Sequence, residues 1–305
     1  MANFASNFLA QQLLKELGYK IDKDTIWTGK DKAQQKFVDY DFGDLKMPEI
    51  EGMGQIGGTN LVKEFLMNKG IPLDLPDEID FEDICAAVVL DIKSTWKVKG
   101  KETKIPKPNM PDGSIECYDG AKLKGMVFED RDKFKFSKAT LTNGDYVIFE
   151  QKSNAKSSVL EIEENGRYFA ANIENYLLCK GEYVSFSFPQ VDLDTKRDID
   201  ELLGVKTSNI KDYKVTIAKG RCLLQLNHIG AKLKMAMGGV AVATSFRPEY
   251  NWEIDDTFCV HFCRDTFVYA SVLVTPEFFK KVEIDFDEDT ETDKFDETDI
   301  DLGGF

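Results

Sequence analysis

The stretch YKVTIAKGRCLLQLN (213–227) begins the region that decides the fold. It is rich in Val, Ile and Leu and predicts a long sheet strand. A run of 23 residues follows, HIGAKLKMAMGGVAVATSFRPEY (228–250), with no helix cap, heptad or short turn motif. Two further apolar strands are predicted after it, WEIDDTFCVHFC (252–263) and FVYASVLVTP (267–276). Loops of this length inside a compact domain are uncommon and tend to be functional, so residues 231–250 are the first candidate site.

Upstream of this region the sequence predicts a few helices and many strands. Residues 7–17 place their apolar side chains at helical spacing and end at a glycine, which predicts one amphipathic helix. Residues 84–96 form an apolar run closing on a tryptophan, typical of a strand buried on both faces. Residues 157–162 and 182–189 predict two more strands. The pattern is that of a mixed α and β protein.

Taken in order, these segments resemble the serpin family. The residues Asn227-His-Ile-Gly-Ala231 are similar to the acidic-Gly-Thr hinge from which the serpin reactive-centre loop emerges. Residues 254–258 resemble the strand that follows that loop, and residues 267–276 resemble the closing strand with its terminal proline. Trp96 stands where the serpin strand beneath the loop ends on a tryptophan. The resemblance covers about residues 37–276 and the first helix.

The resemblance implies an α+β fold with a large central sheet, additional β-sheets and a reduced set of helices. The large sheet is expected to contain the strands at 84–96 and 213–227. A typical serpin has several helices and a strand where this chain has residues 19–36, which are too few to hold them. We expect a serpin-like domain over residues 1–281, followed by an acidic, disordered tail over residues 282–305.

The resemblance also implies a mechanism for the loop. A serine or cysteine protease acylates itself on the loop, the cut loop inserts into the sheet as a new strand, and the trapped enzyme is distorted. Counting along the family's loop places the scissile bond between Thr244 and Ser245 and the sheet entry at Trp96. The hinge then comprises Gly230, Ala231, Lys232 and Leu233.

Alternate side chains of the loop form two different faces, because strand side chains point to opposite sides of a sheet. One face is wholly apolar and comprises Ala231, Leu233, Met235, Met237 and Gly239. The other begins with two lysines and comprises Lys232, Lys234, Ala236 and Gly238. This alternation permits insertion with the apolar face toward a core.

Several departures from the family pattern favour a fixed fold. Leu233, Met235 and Met237 are bulkier than the alanines usual in inhibitory members. The histidine that serpins carry under the loop falls on Gly220, and the asparagine of the adjacent strand falls on Val88. Two functions therefore stay open, a protease inhibitor and a non-inhibitory serpin-fold module that acts by interaction within a protein assembly. An enzyme is not predicted, because no motif places polar groups in a convergent site.

The charge is concentrated at the carboxyl end. Residues 282–305 carry a net −10 of the chain's −15, which argues against nucleic acid as a partner. Their acidic run is interrupted by apolar anchors that would dock on a protein partner, chiefly Phe295, Leu302 and Phe305. No apolar stretch is long enough to predict a membrane span, so membrane binding is not expected. The first residues lack the features of a secretory signal, which favours a reducing compartment or an assembled particle.

Metal chemistry has one weak candidate. Cys259, His261 and Cys263 alternate along one predicted strand and present ligand atoms on one face. Buried cysteines usually behave as small hydrophobic residues, and no second ligand pair stands out. The sequence alone therefore predicts no cofactor and no metal.

Overall fold

The computed structural model describes residues 3–19, 25–39, 53–77, 85–107, 116–129, 135–151, 158–173, 177–178, 184–207, 215–233 and 250–284. Four α-helices lie in this part of the chain: α1 (Asn7–Glu16), α2 (Lys32–Asp39), α3 (Thr59–Asn68) and α4 (Val159–Asn172). None of these helices has the length and apolar character needed to cross a membrane. Helix α1 confirms the predicted amphipathic helix, with Ser6 accepting a hydrogen bond from Leu9 N at 3.1 Å as its N-cap.

Strands make up most of the regular structure in the described residues. They are β1 (Asn3–Ala5), β2 (Trp27–Thr28), β3 (Met53–Gly57), β4 (Cys85–Val89), β5 (Ile92–Thr95), β6 (Lys101–Pro106), β7 (Cys117–Glu129), β8 (Lys135–Thr140), β9 (Asn143–Gly144), β10 (Tyr146–Gln151), β11 (Leu177–Leu178), β12 (Val184–Pro189), β13 (Val191–Asp198), β14 (Lys206–Thr207), β15 (Lys219–Leu226), β16 (Gly230–Leu233), β17 (Tyr250–Glu253), β18 (Phe258–Arg264) and β19 (Phe267–Val274).

The strands form one large sheet and several smaller ones. Eight of the ten strands of the large sheet follow the order β1-β19-β18-β10-β8-β7-β12-β17, and β6 and β11 also pair with β7. All of its pairs are antiparallel except β12 with β17, which is parallel. A four-stranded antiparallel sheet has the order β13-β15-β16-β5, and two pairs, β14-β2 and β3-β4, complete the set. This arrangement confirms the predicted α+β class with a large sheet, further sheets and few helices.

The main core lies between the large sheet and the four-stranded sheet. At its centre the ring of Phe149 packs against those of Phe186, Phe188 and Phe258, which all belong to the large sheet. Trp96, which follows β5 of the four-stranded sheet, lies 6.1 Å from Phe149 between ring centroids. All five side chains are buried. The aromatic cluster therefore joins the two sheets.

The predicted strand at 84–96 proves to be two strands with different partners. Strand β4 pairs with β3, whereas β5 pairs with β16 in the four-stranded sheet. The predicted strand at 213–227 is shorter in the structure, where β15 covers residues 219–226. Strands β5 and β15 share one sheet with β16 between them, but it is the four-stranded sheet, so their predicted place in the large sheet is wrong.

The prediction of a strand at 157–162 is wrong. Residue Val159 begins helix α4, and Ser158 Oγ caps it by accepting a hydrogen bond from Glu161 N at 3.2 Å. The buried positions of this helix recur every three or four residues, which is helical and not strand spacing. A serine followed three residues later by glutamate is a helix-start motif, and its local preference outweighs the β-branched residues around it.

Candidate functional site: the hinge strand and the cleft beside it

The hinge predicted from the sequence lies in β16, which we call the hinge strand. It pairs with β15 through Leu226–Ala231 and with β5 through Gly230–Thr95, antiparallel on both sides. The Ala231 side chain is fully buried in the main core. The hinge residues 230–233 therefore already form a strand of the four-stranded sheet in the uncut chain.

A tight turn leads from β15 into the hinge strand, and Asn227 organises it. The Asn227 side-chain oxygen accepts hydrogen bonds from Ile229 N at 2.8 Å and Gly230 N at 3.1 Å. Trp96 fixes the same turn, since its Nε1 donates to Asn227 O at 2.8 Å and its main-chain N donates to Ile229 O at 2.9 Å. The indole predicted to mark the sheet entry thus holds the start of the hinge strand.

The carboxyl-terminal segment closes over this turn. Asn227 Nδ2 donates to Val282 O at 3.2 Å, and Val282 N donates to Gln190 Oε1 at 3.3 Å. Val282 and Ile284 are buried, although both lie beyond residue 281, where the sequence places the end of the domain. The turn, Trp96 and the last described residues therefore form one hydrogen-bonded unit.

We expect Asn227→Ala to lower the free energy of unfolding by about 2–4 kcal/mol, because it removes three hydrogen bonds and leaves buried main-chain groups without their partner. Gln225→Ala is the matched control, since the half-buried Gln225 side chain donates a hydrogen bond to Asp192 at 3.1 Å and does not contact the turn. Urea denaturation followed by tryptophan fluorescence measures both. Equal small effects of the two substitutions would show that Asn227 does not hold the turn.

A cleft of about 120 Å³, which we call the sheet cleft, lies beside the start of β15. It separates residues 86–90, in and just after β4, from residues 217–221, in and just before β15. Leu13 of α1 and Leu66 of α3 also line it, so most of its wall is apolar. Strands β4 and β15 do not pair with each other along the sheet cleft. Strands β5 and β15, in contrast, are joined through the hinge strand.

Continued past Leu233, the register of the hinge strand would run alongside the walls of the sheet cleft. Leu233 lies opposite Leu224 of β15 and Ile92 of β5. Two residues further in the same register, residue 235 would lie opposite Leu90 and Cys222, and residue 237 opposite Val88 and Gly220. Burial raises the pKa of the Cys222 thiol to about 12, so this thiol is neutral. The β15 wall of the cleft also carries two charged residues, Lys219 and Arg221, which pair with Asp198 and Asp194.

At the two positions where serpins carry polar residues, this chain has apolar ones on opposite walls of the sheet cleft. A Cβ on Gly220 would lie 2.7 Å from Ile199 Cδ1 and 2.8 Å from Phe4 Cζ, so a histidine side chain has no room there. Val88 lies on the opposite wall of the sheet cleft. The charged Arg197 that borders the cleft is held by Glu201 at 3.0 Å. Gly220 therefore packs against Phe4 and Ile199 at the position of a polar residue in serpins.

Several predicted site residues fall outside the described part of the chain. These are Thr244 and Ser245 at the predicted scissile bond, and Phe295, Leu302 and Phe305 in the tail. Lys232 and Leu233 are described as strand residues through their pairing with β15 and β5. Gly230, Ala231 and Trp96 are described fully and lie together at the start of the hinge strand.

The cysteine and histidine residues of β18 do not share one cluster as their alternation predicts. The pairing of β18 with β19 shifts by one residue between Phe262 and Cys263. Cys263 packs with Tyr146 and Phe169 in a separate apolar cluster, while Cys259 and His261 face Glu150 of β10. Glu150 was not a sequence candidate. In the sequence, Glu150 is a single acidic residue that follows the apolar run 146–149. The spacing of residues along one strand does not show which residue of the next strand it faces.

Comparisons with known proteins give matches in structure only. No protein-family model and no curated protein matches the sequence. The chain is similar to the structure of Serpin48 from the insect Tenebrio molitor, with 9% identity, a TM-score of 0.48, and 90% of this chain and 91% of that one covered. It is similar to the thermophilic serpin Tengpin, with 12% identity, a TM-score of 0.49, and coverage of 88% and 92%. For a serpin of the trematode Schistosoma haematobium the identity is 13%, the TM-score 0.44, and the coverage 65% of this chain and 58% of that one.

These structures are all serpins, the family that the sequence resembles. Their identities of 9–13% carry no activity over to this chain.

Proposed function

We propose that this protein is a serpin-like suicide inhibitor of a serine or cysteine protease, with residues 231–250 as the reactive loop. The observation that carries the proposal is the position of the hinge strand between β5 and β15. Its register runs on into an apolar cleft between strands that do not pair. A loop whose next residues are apolar on alternate positions fits such a cleft.

The proposed reaction begins with ordinary proteolysis. The protease's serine Oγ or cysteine Sγ bonds to the carbonyl carbon of Thr244, the amide bond to Ser245 breaks, and the Ser245 amine leaves with a proton. The acyl-enzyme then rests on the free end of a loop whose other end is the hinge strand. Hydrolysis would release the enzyme, whereas insertion carries it away before water attacks.

The length of the loop suits this transport. About eleven residues separate Leu233 from Thr244, and at ~3.3 Å per strand residue they span about 36 Å. In the same register, residues 234–240 lie beside positions 91–85, along β4 and the bend before β5. The insertion site is narrow at about 120 Å³, so β4 and β15 must separate further as the strand enters. Separation would move apart the two walls that carry Gly220 and Val88.

The test is a covalent complex. The protein is incubated with a panel of active serine and cysteine proteases, and the products are separated in detergent. We expect, with at least one protease, a band at the combined mass of that protease and residues 1–244, because detergent releases residues 245–305. Mass spectrometry should place the ester or thioester at Thr244. Cleavage of the loop by every protease that attacks it, with no stable complex, would overturn the inhibitor proposal.

A second function, a non-inhibitory interaction module, is favoured by the same walls. Gly220 lies in contact with Phe4 and Ile199 in place of a polar switch, which suits a sheet that stays closed. In that case the loop would be cut without any gain in stability, and the acidic tail with Phe295, Leu302 and Phe305 would supply the binding segment. Protein partners are proposed for both functions.

The tail has its own prediction. We expect removal of residues 286–305 to leave the melting temperature within about 2 °C, because polar, acidic segments bury little apolar surface. Removal of residues 282–305 should lower it further, by about 5 °C or more, because it takes away buried Val282 and Ile284 and the bond to Asn227. Calorimetry of the two truncations decides. Equal melting temperatures would mean that residues 282–284 do not hold the turn.

A further inference from the structure

A buried cluster of three metal-ligand types lies in the large sheet, away from the hinge strand. It comprises Glu150 of β10 with Cys259 and His261 of β18, and Glu150 and Cys259 face each other in the pairing of these strands. Their ligand atoms all lie within 4.8 Å of one another. The exposed fractions of the three residues are 3%, 0% and 0%. A carboxylate, a thiol and an imidazole brought together away from water are an expensive arrangement unless they share a cation or a proton.

The spacing fits a tetrahedral zinc site. Two nitrogen or oxygen ligands at about 2.0–2.2 Å from a tetrahedral centre lie about 3.3–3.5 Å apart. His261 Nε2 and Glu150 Oε2 are separated by 3.3 Å. The sulfur of Cys259 adds the soft ligand that selects zinc over magnesium or calcium. We propose that Glu150, Cys259 and His261 bind one Zn²⁺.

The neighbours of this cluster have the arrangement that metal ligands require. Metal-bound histidines donate their other ring N–H to a fixed acceptor, which sets the tautomer. The Nδ1 of His261 lies 2.9 Å from Ser271 Oγ on β19; when Nδ1–H donates to this hydroxyl, the Nε2 lone pair is left for the metal. Asn165 Nδ2 donates to Glu150 Oε1 at 3.1 Å and holds the second carboxylate oxygen. Each of these two ligands therefore has its own orienting partner.

Helix α4 encloses the cluster. A Cβ on Gly166 would lie 2.5 Å from His261 Nδ1, so the helix backbone approaches the imidazole as closely as a glycine allows. Such a covered site suits a structural ion, which ties α4 to β10, β18 and β19. The role is stability of this half of the molecule, independent of the loop.

The test uses the full chain, loaded with Zn²⁺ or Co²⁺, freed of excess metal by gel filtration, and analysed for metal content. We expect about one equivalent of Zn²⁺ and, with Co²⁺, a thiolate-to-cobalt charge-transfer band. Weak binding to acidic side chains gives no such band. Cys259→Ser should lose both signals. Cys263→Ser is the matched control, because Cys263 lies two residues past His261 on the same strand but in another cluster, and it should keep both.

If Cys259→Ser fails to fold, Ser271→Ala provides a second test of the zinc site. It leaves all three ligands in place and should weaken Zn²⁺ binding about 10–100-fold, through the loss of the contact that orients His261. A wild-type chain that is folded and shows neither retained Zn²⁺ nor the cobalt band would overturn the proposal. Equal loss of the band in Cys259→Ser and Cys263→Ser would also overturn it.

Discussion

Cleavage of the loop between Thr244 and Ser245 is expected to raise the melting temperature by about 10–20 °C. Released from its far end, the loop extends the hinge strand and buries Met235 and Met237 between β4 and β15. Each buried methionine contributes about 1.5–3 kcal/mol, and about 2–4 °C accompanies each kcal/mol in a chain of this size. Calorimetry before and after cleavage, with the cut verified by mass spectrometry, measures the shift.

A pair of substitutions isolates insertion from any other effect of cleavage. If the register of the hinge strand continues on insertion, residue 237 would lie opposite Val88 and Gly220 on the face that Ala231 buries. Residue 236 would then lie on the other face. Met237→Glu should abolish the gain in melting temperature, because a carboxylate would have to enter an apolar core. Ala236→Glu should preserve most of it. Identical behaviour of the two variants would mean that the gain does not come from insertion in this register.

Phe149→Ala is expected to lower the free energy of unfolding by about 3–5 kcal/mol. The Phe149 ring contacts Phe188 at 4.6 Å and Phe186 at 5.1 Å between centroids, and it lies 6.1 Å from Trp96 across the two sheets. Its loss leaves a cavity in the cluster that joins the large sheet to the four-stranded sheet. Chemical denaturation monitored by circular dichroism measures the change.

Tyr168→Ala is the control for that experiment, because Tyr168 is a largely exposed aromatic residue of α4. We expect it to change the free energy of unfolding by less than about 0.5 kcal/mol. A cost for Phe149→Ala below about 1 kcal/mol would contradict the view that one aromatic core unites the two sheets.

The sequence predicts those elements whose pattern is local. Helix α1 and strands β12 and β19 follow from apolar spacing and flanking residues, and each lies close to its predicted range. The break in residues 84–96 could not be predicted, because an apolar run looks the same whether or not it changes partner. Strand β4 pairs with β3 and does not continue into the sheet that contains β5, and the pattern of residues 84–96 does not encode this pairing. The start of α4 was readable from Ser158 and Glu161, but the apolar residues after Ser158 favoured a strand.

The candidate site divides in the same way. The hinge residues 230–233 follow from a resemblance in a short motif, and their backbone forms the strand between β15 and β5. The sequence predicts no metal and offers Cys259, His261 and Cys263 only as a weak candidate. In the structure, the register of β10 with β18 places Glu150 opposite Cys259. Cross-strand partners are set by pairing, which residue spacing on one strand does not encode.

Amide hydrogen exchange before and after loop cleavage tests the central claim, that the loop inserts beside the hinge strand, most directly. Insertion of the loop predicts slower amide exchange after cleavage in peptides that cover residues 86–90 and 219–222, the walls of the sheet cleft, because an inserted strand bonds to both. Peptides from β19, on the far side of the large sheet, should exchange at unchanged rates. Unchanged exchange at both walls in a chain with a verified cut would contradict insertion of the loop.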